Sequence, residues 1–180
     1  INRNHRSRGK GSNVIKRMIG AAKLNVALYE EVESDSSATI QAIAVVVIVS
    51  LATGIGLFGQ RGVLGLIVGI PLSIGLWALW AWITYLVGTT ILKTPETEAN
   101  WGQLARTLGF AQSPGVLKVA GFIPVIGPWL FFIAAIWQLA ANVIAIRQAL
   151  DFTSTGRAAG VAIIGFIPYA LVTSLIYSLF

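Results

Sequence analysis

Four stretches of this chain contain no Asp, Glu, Lys or Arg: 36–60, 62–92, 119–146 and 158–180. Each is longer than the ~20 residues that an α-helix needs to cross ~30 Å of hydrocarbon. Inside a bilayer every backbone N–H and C=O must find a partner within the protein, so uncharged runs of this length fold as helices. The fold class that follows is an all-α integral membrane protein. Composition agrees, because 11% of the 180 residues are charged and 56% are apolar, whereas a soluble domain carries roughly a quarter charged residues.

Seven basic residues (Arg3, Arg6, Arg8, Lys10, Lys16, Arg17 and Lys23) precede the first uncharged run. A basic juxtamembrane segment fixes topology and is drawn to anionic headgroups. No aromatic interleaving or recognition helix accompanies these charges, so nucleic acid is not expected as a partner. The chain opens on a polar segment, and no secretory signal is expected there. It has no Cys, which excludes disulfides, thiolate metal sites and cysteine nucleophiles.

Three parts are expected. Residues 1–13 are polar, basic and Gly/Ser-rich, a flexible arm. Residues 14–35 hold a cytoplasmic interfacial amphipathic helix and an acidic linker. In the helix Ile15, Met18, Ile19, Ala22, Val26 and Tyr29 recur at three- and four-residue spacing to about Val32; it either lies at the membrane surface, with Lys16, Arg17 and Lys23 in reach of lipid phosphates, or packs on the loops of its own bundle. The cluster Glu30, Glu31, Glu33 and Asp35 reads as a solvated charge run with no calcium-loop spacing. Residues 36–180 form the transmembrane bundle. Its spans are expected at about 39–58, 63–92, 129–146 and 158–179, the second kinked at Pro71 or tilted to absorb its surplus length.

Residues 108–128 (LGFAQSPGVLKVAGFIPVIGP) are apolar but interrupted by Pro114, Lys118 and Pro124. They form either a short, broken third span or a re-entrant hairpin. If they cross, the basic arm, the 93–106 connection and the Arg147–Arg157 linker share one side. The positive-inside rule therefore favours five crossings over four, with the N-terminus cytoplasmic and the C-terminus outside.

Catalytic groups are scarce, and no enzyme activity is expected. His5 is the sole histidine and lies in the arm, unsuited to a positioned base or a metal site. The glycines form no phosphate loop; Gly65 and Gly69, and Gly156 and Gly160, have the GxxxG spacing that lets helices pack closely in lipid. Trp101, Arg106 and Trp129 suit the headgroup level, as do Lys16, Arg17 and Lys23. Lys118 stands out, because a cation at bilayer depth is costly unless it reaches the interface or a partner. With Gln112, Ser113, Gln138 and Asn142 it makes a candidate ion or lipid-headgroup site. No cofactor of its own is expected; Trp77 and Trp80 are placed to stack on a lipid, or on a quinone or pigment held by a partner.

The runs Trp101–Pro114 (WGQLARTLGFAQSP), Gly121–Pro128 (GFIPVIGP) and Ile146–Phe152 (IRQALDF), with Arg17–Gly20 (RMIG) and Leu28–Glu33 (LYEEVE), resemble bacterial members of the Yip domain family. These are similar to the eukaryotic Ypt/Rab-interacting polytopic membrane proteins. The resemblance implies five transmembrane helices and a cytoplasmic N-terminus. The acidic-Leu-aromatic-Gly-Pro signature of the eukaryotic branch is absent, so Rab binding is not carried over, and the bacterial branch supplies a fold without a settled activity.

Two readings of function follow for the bacterial inner (plasma) membrane. The first is a non-catalytic scaffold or accessory subunit packed against lipids and other integral membrane proteins, in one version within a respiratory or photosynthetic complex. The second is a small transporter or lipid-handling protein that uses the region around Lys118.

Overall fold

A computed structural model describes residues 13–178; the basic arm, except Asn13, lies outside them. The described residues are helical with no strand, and four helices are long and apolar enough to cross a membrane: Ala38–Gly56, Gly62–Ile91, Ile126–Ala149 and Thr155–Ile176. The protein is thus a multi-pass helical membrane protein.

The expected single helix from Val14 to Val32 is two. α1 (Val14–Ala22) is capped by the Asn13 side chain, and α2 (Val26–Ser34) by Asn25, whose Oδ1 accepts the Ala27 N–H at 3.1 Å. Between them Leu24 turns the chain at φ 58°. An Asn that can cap locally competes with a continuing helix, and this one starts a new helix instead. The buried Tyr29 hydroxyl donates to the Ala21 carbonyl at 3.1 Å and closes the hairpin.

α3 (Ala38–Gly56) runs outward from α2, and α4 (Phe58–Leu86) returns. The helical path of α4 breaks at Gly62 (φ 58°, ψ −161°), a conformation that needs glycine, whereas Pro71 sits within continuous helix. A short π-helix, Val87–Ile91, ends this return. α5 (Trp101–Phe110) opens with a capping box in which Asn100 and Gln103 exchange side-chain-to-backbone hydrogen bonds.

The ambiguous segment becomes the last turn of α5, a 3₁₀-helix over Ser113–Phe122, and the first residues of α6 (Ile126–Ala149). Its direction is fixed by glycine contacts. Gly109 lies on Ala42, Gly115 on Val49, and Gly56 on the Lys118 carbonyl and Gly121. The segment therefore runs beside α3, in the same direction, from Ala42 to Gly56, a rise of about 21 Å at ~1.5 Å per α-helical residue. α6 then returns antiparallel, with Gly127 against Gly121 and Gln138 against Gln112. α7 (Thr155–Tyr177) runs back along α4, with Gly160 by Leu92, Gly165 by Ile83 and Tyr169 by Trp80.

These levels give the bundle a proximal end, beside α1 and α2, and a distal end near Gly56. The two ends are packed differently. Leu104 through Ala111 are all buried, as are Ala38, Ala42, Ala145, Ile146, Ala149 and Leu150, all toward the proximal end. Distally, α4 meets α3 where Leu66 lies on Gly54 but is otherwise little enclosed: 6% of its apolar window is buried, against 33% for α3.

Candidate functional site

The proximal end is held by charge. Arg17, 6% exposed, donates from Nη2 to Glu31 Oε1 and to Asp35 Oδ2, both at 2.7 Å, and from Nη1 to Gln41 Oε1 at 3.1 Å. One guanidinium fork thereby joins α1, α2 and α3, a use that the planar multi-donor head of Arg suits and a Lys would not fill. Burial works against its charge, yet Glu31 and Asp35 still raise its pKa. Asp35 is held below the usual carboxylate range by Ser37 and by Arg17.

Arg106 is also buried. It donates from Nε to the Val32 carbonyl at 3.0 Å and from Nη2 to the Glu33 carbonyl. These are carbonyls of the last turn of α2, where a cation both completes hydrogen bonding and meets the negative end of the helix dipole. The Glu33 carboxylate accepts from Gln103 Nε2 at 3.0 Å. Burial pushes its pKa up to about 7, Asp151 adds to the rise, and Arg106 opposes it.

Two expectations are corrected here. Arg17 and Arg106 are not free at the headgroup level, because both heads are spent on protein partners. Glu31, Glu33 and Asp35 are likewise more than a solvated run. Lys16, Lys23, Trp101 and Trp129 are exposed, and the Trp101 indole N–H faces the Ala78 carbonyl at 3.4 Å.

The distal half holds the site. A cavity of about 930 Å³ lies among α3, α4, the 3₁₀-helix, α6 and α7. Its walls are mainly apolar, from Val46 and Val49 on α3, Leu72 and Leu76 on α4, and Ile163 and Phe166 on α7. Gly65 and Gly69 line it too, and nothing lies within 4 Å of a Cβ placed at Gly69. The expected close helix contact is not made at Gly69, which faces open space. Gly160 does pack, against Leu92, while Gly156 meets only its own Ser154 cap. The close approaches are made at Gly56, Gly109 and Gly115, whose spacing matches no simple motif.

Four of the five residues expected around Lys118 line this one cavity: Lys118, Gln112, Gln138 and Asn142. Ser113 does not. It is buried, with its hydroxyl given to the Phe110 carbonyl at 2.6 Å. The amides form a chain at mid-depth. Gln138 Nε2 donates to Gln112 Oε1 at 2.9 Å and to the Gln112 carbonyl at 3.1 Å. Asn142 Nδ2 donates to the Gln138 carbonyl at 2.7 Å, and Trp80 Nε1 donates to Asn142 Oδ1 at 3.3 Å. Gln112 Nε2 and Gln138 Oε1 take no partner among the described residues, and neither is enclosed. One donor and one acceptor are thus left for an occupant.

Trp77 and Trp80 lie on the proximal side of this cluster. The Trp77 indole donates to the Ala105 carbonyl at 3.1 Å and is 7% exposed, and Trp80 packs edge-on against Tyr169 with ring centroids 5.2 Å apart. On α7 the lining reaches past them to Ile163 and Ala162. Both indoles are held by hydrogen bonds and form part of the proximal wall.

Lys118 stands at the opposite, distal end, beside Gly56. Its ammonium lies 5.4 Å from the Phe131 ring centroid. A cation–π contact contributes ~0.5–2 kcal/mol and leaves the charge in place. No carboxylate pairs with Lys118 among the described residues. The described residues also hold no group of three His, Cys, Asp or Glu fit for a metal ion. A search against family models, curated proteins and solved structures finds no match.

Proposed function

We propose that this protein is a five-crossing lipid-handling protein that takes an amphiphilic molecule from the membrane into the distal half of its bundle. The observation that carries the reading is the cavity itself. It has the size of ligand pockets, ~300–1,000 Å³, and their usual character of apolar walls with a few convergent polar groups. Its unused amide donor and acceptor ask for a molecule with polar atoms, and its walls ask for hydrocarbon. Trp77 and Trp80 narrow its proximal side, each held by a hydrogen bond.

The fifth crossing is the run from Arg106 to Phe122, supported by its course beside α3 through the full depth from Ala42 to Gly56. With that crossing, Lys16, Lys23, Lys93, Arg147 and Arg157 belong to the proximal end, and the positive-inside rule makes that end cytoplasmic in a bacterial inner membrane. α1 then lies at the cytoplasmic interface, its exposed Ile15 and Ile19 beside Lys16 and Lys23. We place the chain in the bacterial branch of the Yip domain family and assign it no catalysis.

The test is extraction in a neutral detergent followed by mass spectrometry of the retained lipid, with a Gly69→Phe variant whose ring fills the cavity. A lipid retained by wild type and lost from Gly69→Phe supports the reading. No difference between them, together with a protein that comigrates stoichiometrically on a native gel, would favour the accessory-subunit reading instead.

A further inference from the structure

Resting on that reading, we propose that the occupant is a chain-bearing anion, held with its headgroup at Lys118 and its chain directed inward between the apolar walls. Among the described lining residues Lys118 is the one Asp, Glu, Lys or Arg, and its charge is positive. The nearest described aromatic, Phe131, fixes the ammonium by its ring face and offers it no neutralising charge. The neighbouring polar groups add none, since Gln112, Gln138, Asn142, Ser50, Thr53 and Ser73 are all neutral.

The hydroxyls of Ser50, Thr53 and Ser73 each donate to the carbonyl four residues earlier, at 2.7–2.8 Å. They present lone pairs to the cavity and do not compete with Lys118 as anion donors. A cation at the distal end and apolar lining that continues inward to Ala162 set a direction. The charged head belongs at the distal rim, beside Gly56, where water and headgroups are near. A neutral molecule of the same length fills the walls equally well but brings Lys118 no counter-charge, and a zwitterionic one brings a phosphate whose own cation competes with Lys118. Selectivity for net negative charge is the expected result. A bare inorganic anion satisfies Lys118 and leaves the apolar volume open to hydrocarbon, so the chain is part of the recognition.

The experiment uses full-length protein in nanodiscs doped with photoreactive lipids that carry a diazirine near the chain end. The probes are palmitic acid and palmityl alcohol as one pair, phosphatidylglycerol and phosphatidylcholine as the other. Crosslinked peptides are mapped by mass spectrometry in wild type, Lys118→Gln, Lys118→Arg and Gly69→Phe, all matched for helicity and elution volume. The anionic member of at least one pair should label α4 and the 3₁₀-helix about tenfold more than its neutral partner, equivalent to about 1.4 kcal/mol. Lys118→Gln should abolish that preference and Lys118→Arg retain it. The pair that shows the preference tells a free fatty acid from a phospholipid as its source. Equal labelling by acid and alcohol and by both phospholipids, all blocked in Gly69→Phe, overturns the anion and leaves the pocket standing. Labelling that Gly69→Phe does not block overturns the pocket, and the anion with it.

Discussion

The two ends of this bundle are built from the same apolar alphabet and packed to opposite results. At the proximal end two buried arginines, a carboxylate cluster and a run of small residues draw five helices together. At the distal end α4 stands off, and about 930 Å³ is left open. In lipid, helices gain nothing from leaving hydrocarbon, so close packing has to be made by small residues and polar ties. Where both are present the chain closes. Where α4 offers glycines without a facing ridge, it stays open. The contrast teaches that glycine in a membrane helix is no packing signal alone; what it faces decides.

The largest expected effect is on the closed end. Arg17→Ala should cost about 3 kcal/mol of stability, the low end for removing one partner of a buried ion pair because Glu31 and Asp35 keep contact with solvent. Thermal unfolding in detergent measures it, and Arg17→Lys should recover only part, since an ammonium cannot span Glu31, Asp35 and Gln41 together. A loss under about 0.5 kcal/mol, the size of an ordinary surface change, would mean the knot does not hold the closed end.

Gly56→Val should cost about 2 kcal/mol by forcing α3 off the Lys118 carbonyl. This seam belongs to both ends, so the variant should also loosen lipid retention.

The pH dependence is smaller. The folded-state pKa of Glu33 is raised to about 7, so between roughly pH 4 and 7 the folded protein binds more protons than the unfolded chain. The contribution of Glu33 to stability is then greatest below about pH 4 and falls as pH rises to about 7, whereas Asp35, held low by Ser37 and Arg17, acts in the opposite sense in acid. Wild type should lose about 1–2 kcal/mol between pH 5 and 8, and Glu33→Gln should flatten that slope in denaturation followed across pH.

The smallest effect sharpens the contrast best. In lipid-free detergent Gly69→Phe should change stability by less than about 0.5 kcal/mol, because its ring enters open volume, while in lipid it should remove the bound lipid. A large destabilisation would show that the distal half is not open.

Much of the fold was legible because uncharged runs and capping residues are local signals. The four long helices fall within a few residues of where charge placed them. The break at Leu24 was missed because hydrophobic periodicity continues across it, although Asn25 was a readable cap. Of the site, Lys118 and three amides were legible as unusual polar groups in an apolar setting, and they do share a cavity. Ser113 was lost to a bond with its own helix end. The roles of Arg17 and Arg106 were hidden, since their partners lie 14 to 74 residues away in sequence, beyond any local pattern. The cavity was hidden for the same reason: an absence of contact leaves no mark on the sequence.

The stand-off of α4 has a thermodynamic consequence. A helix with so little of its apolar face against protein completes its packing with hydrocarbon from the bilayer, and on the proposed lipid-handling reading the molecule filling the cavity is a component of the folded state. By mass action its contribution grows as RT ln(1 + [L]/Kd) with the membrane content of that lipid. The melting temperature of this protein is then a readout of the composition of the bilayer it is dissolved in, and no single value belongs to the chain alone.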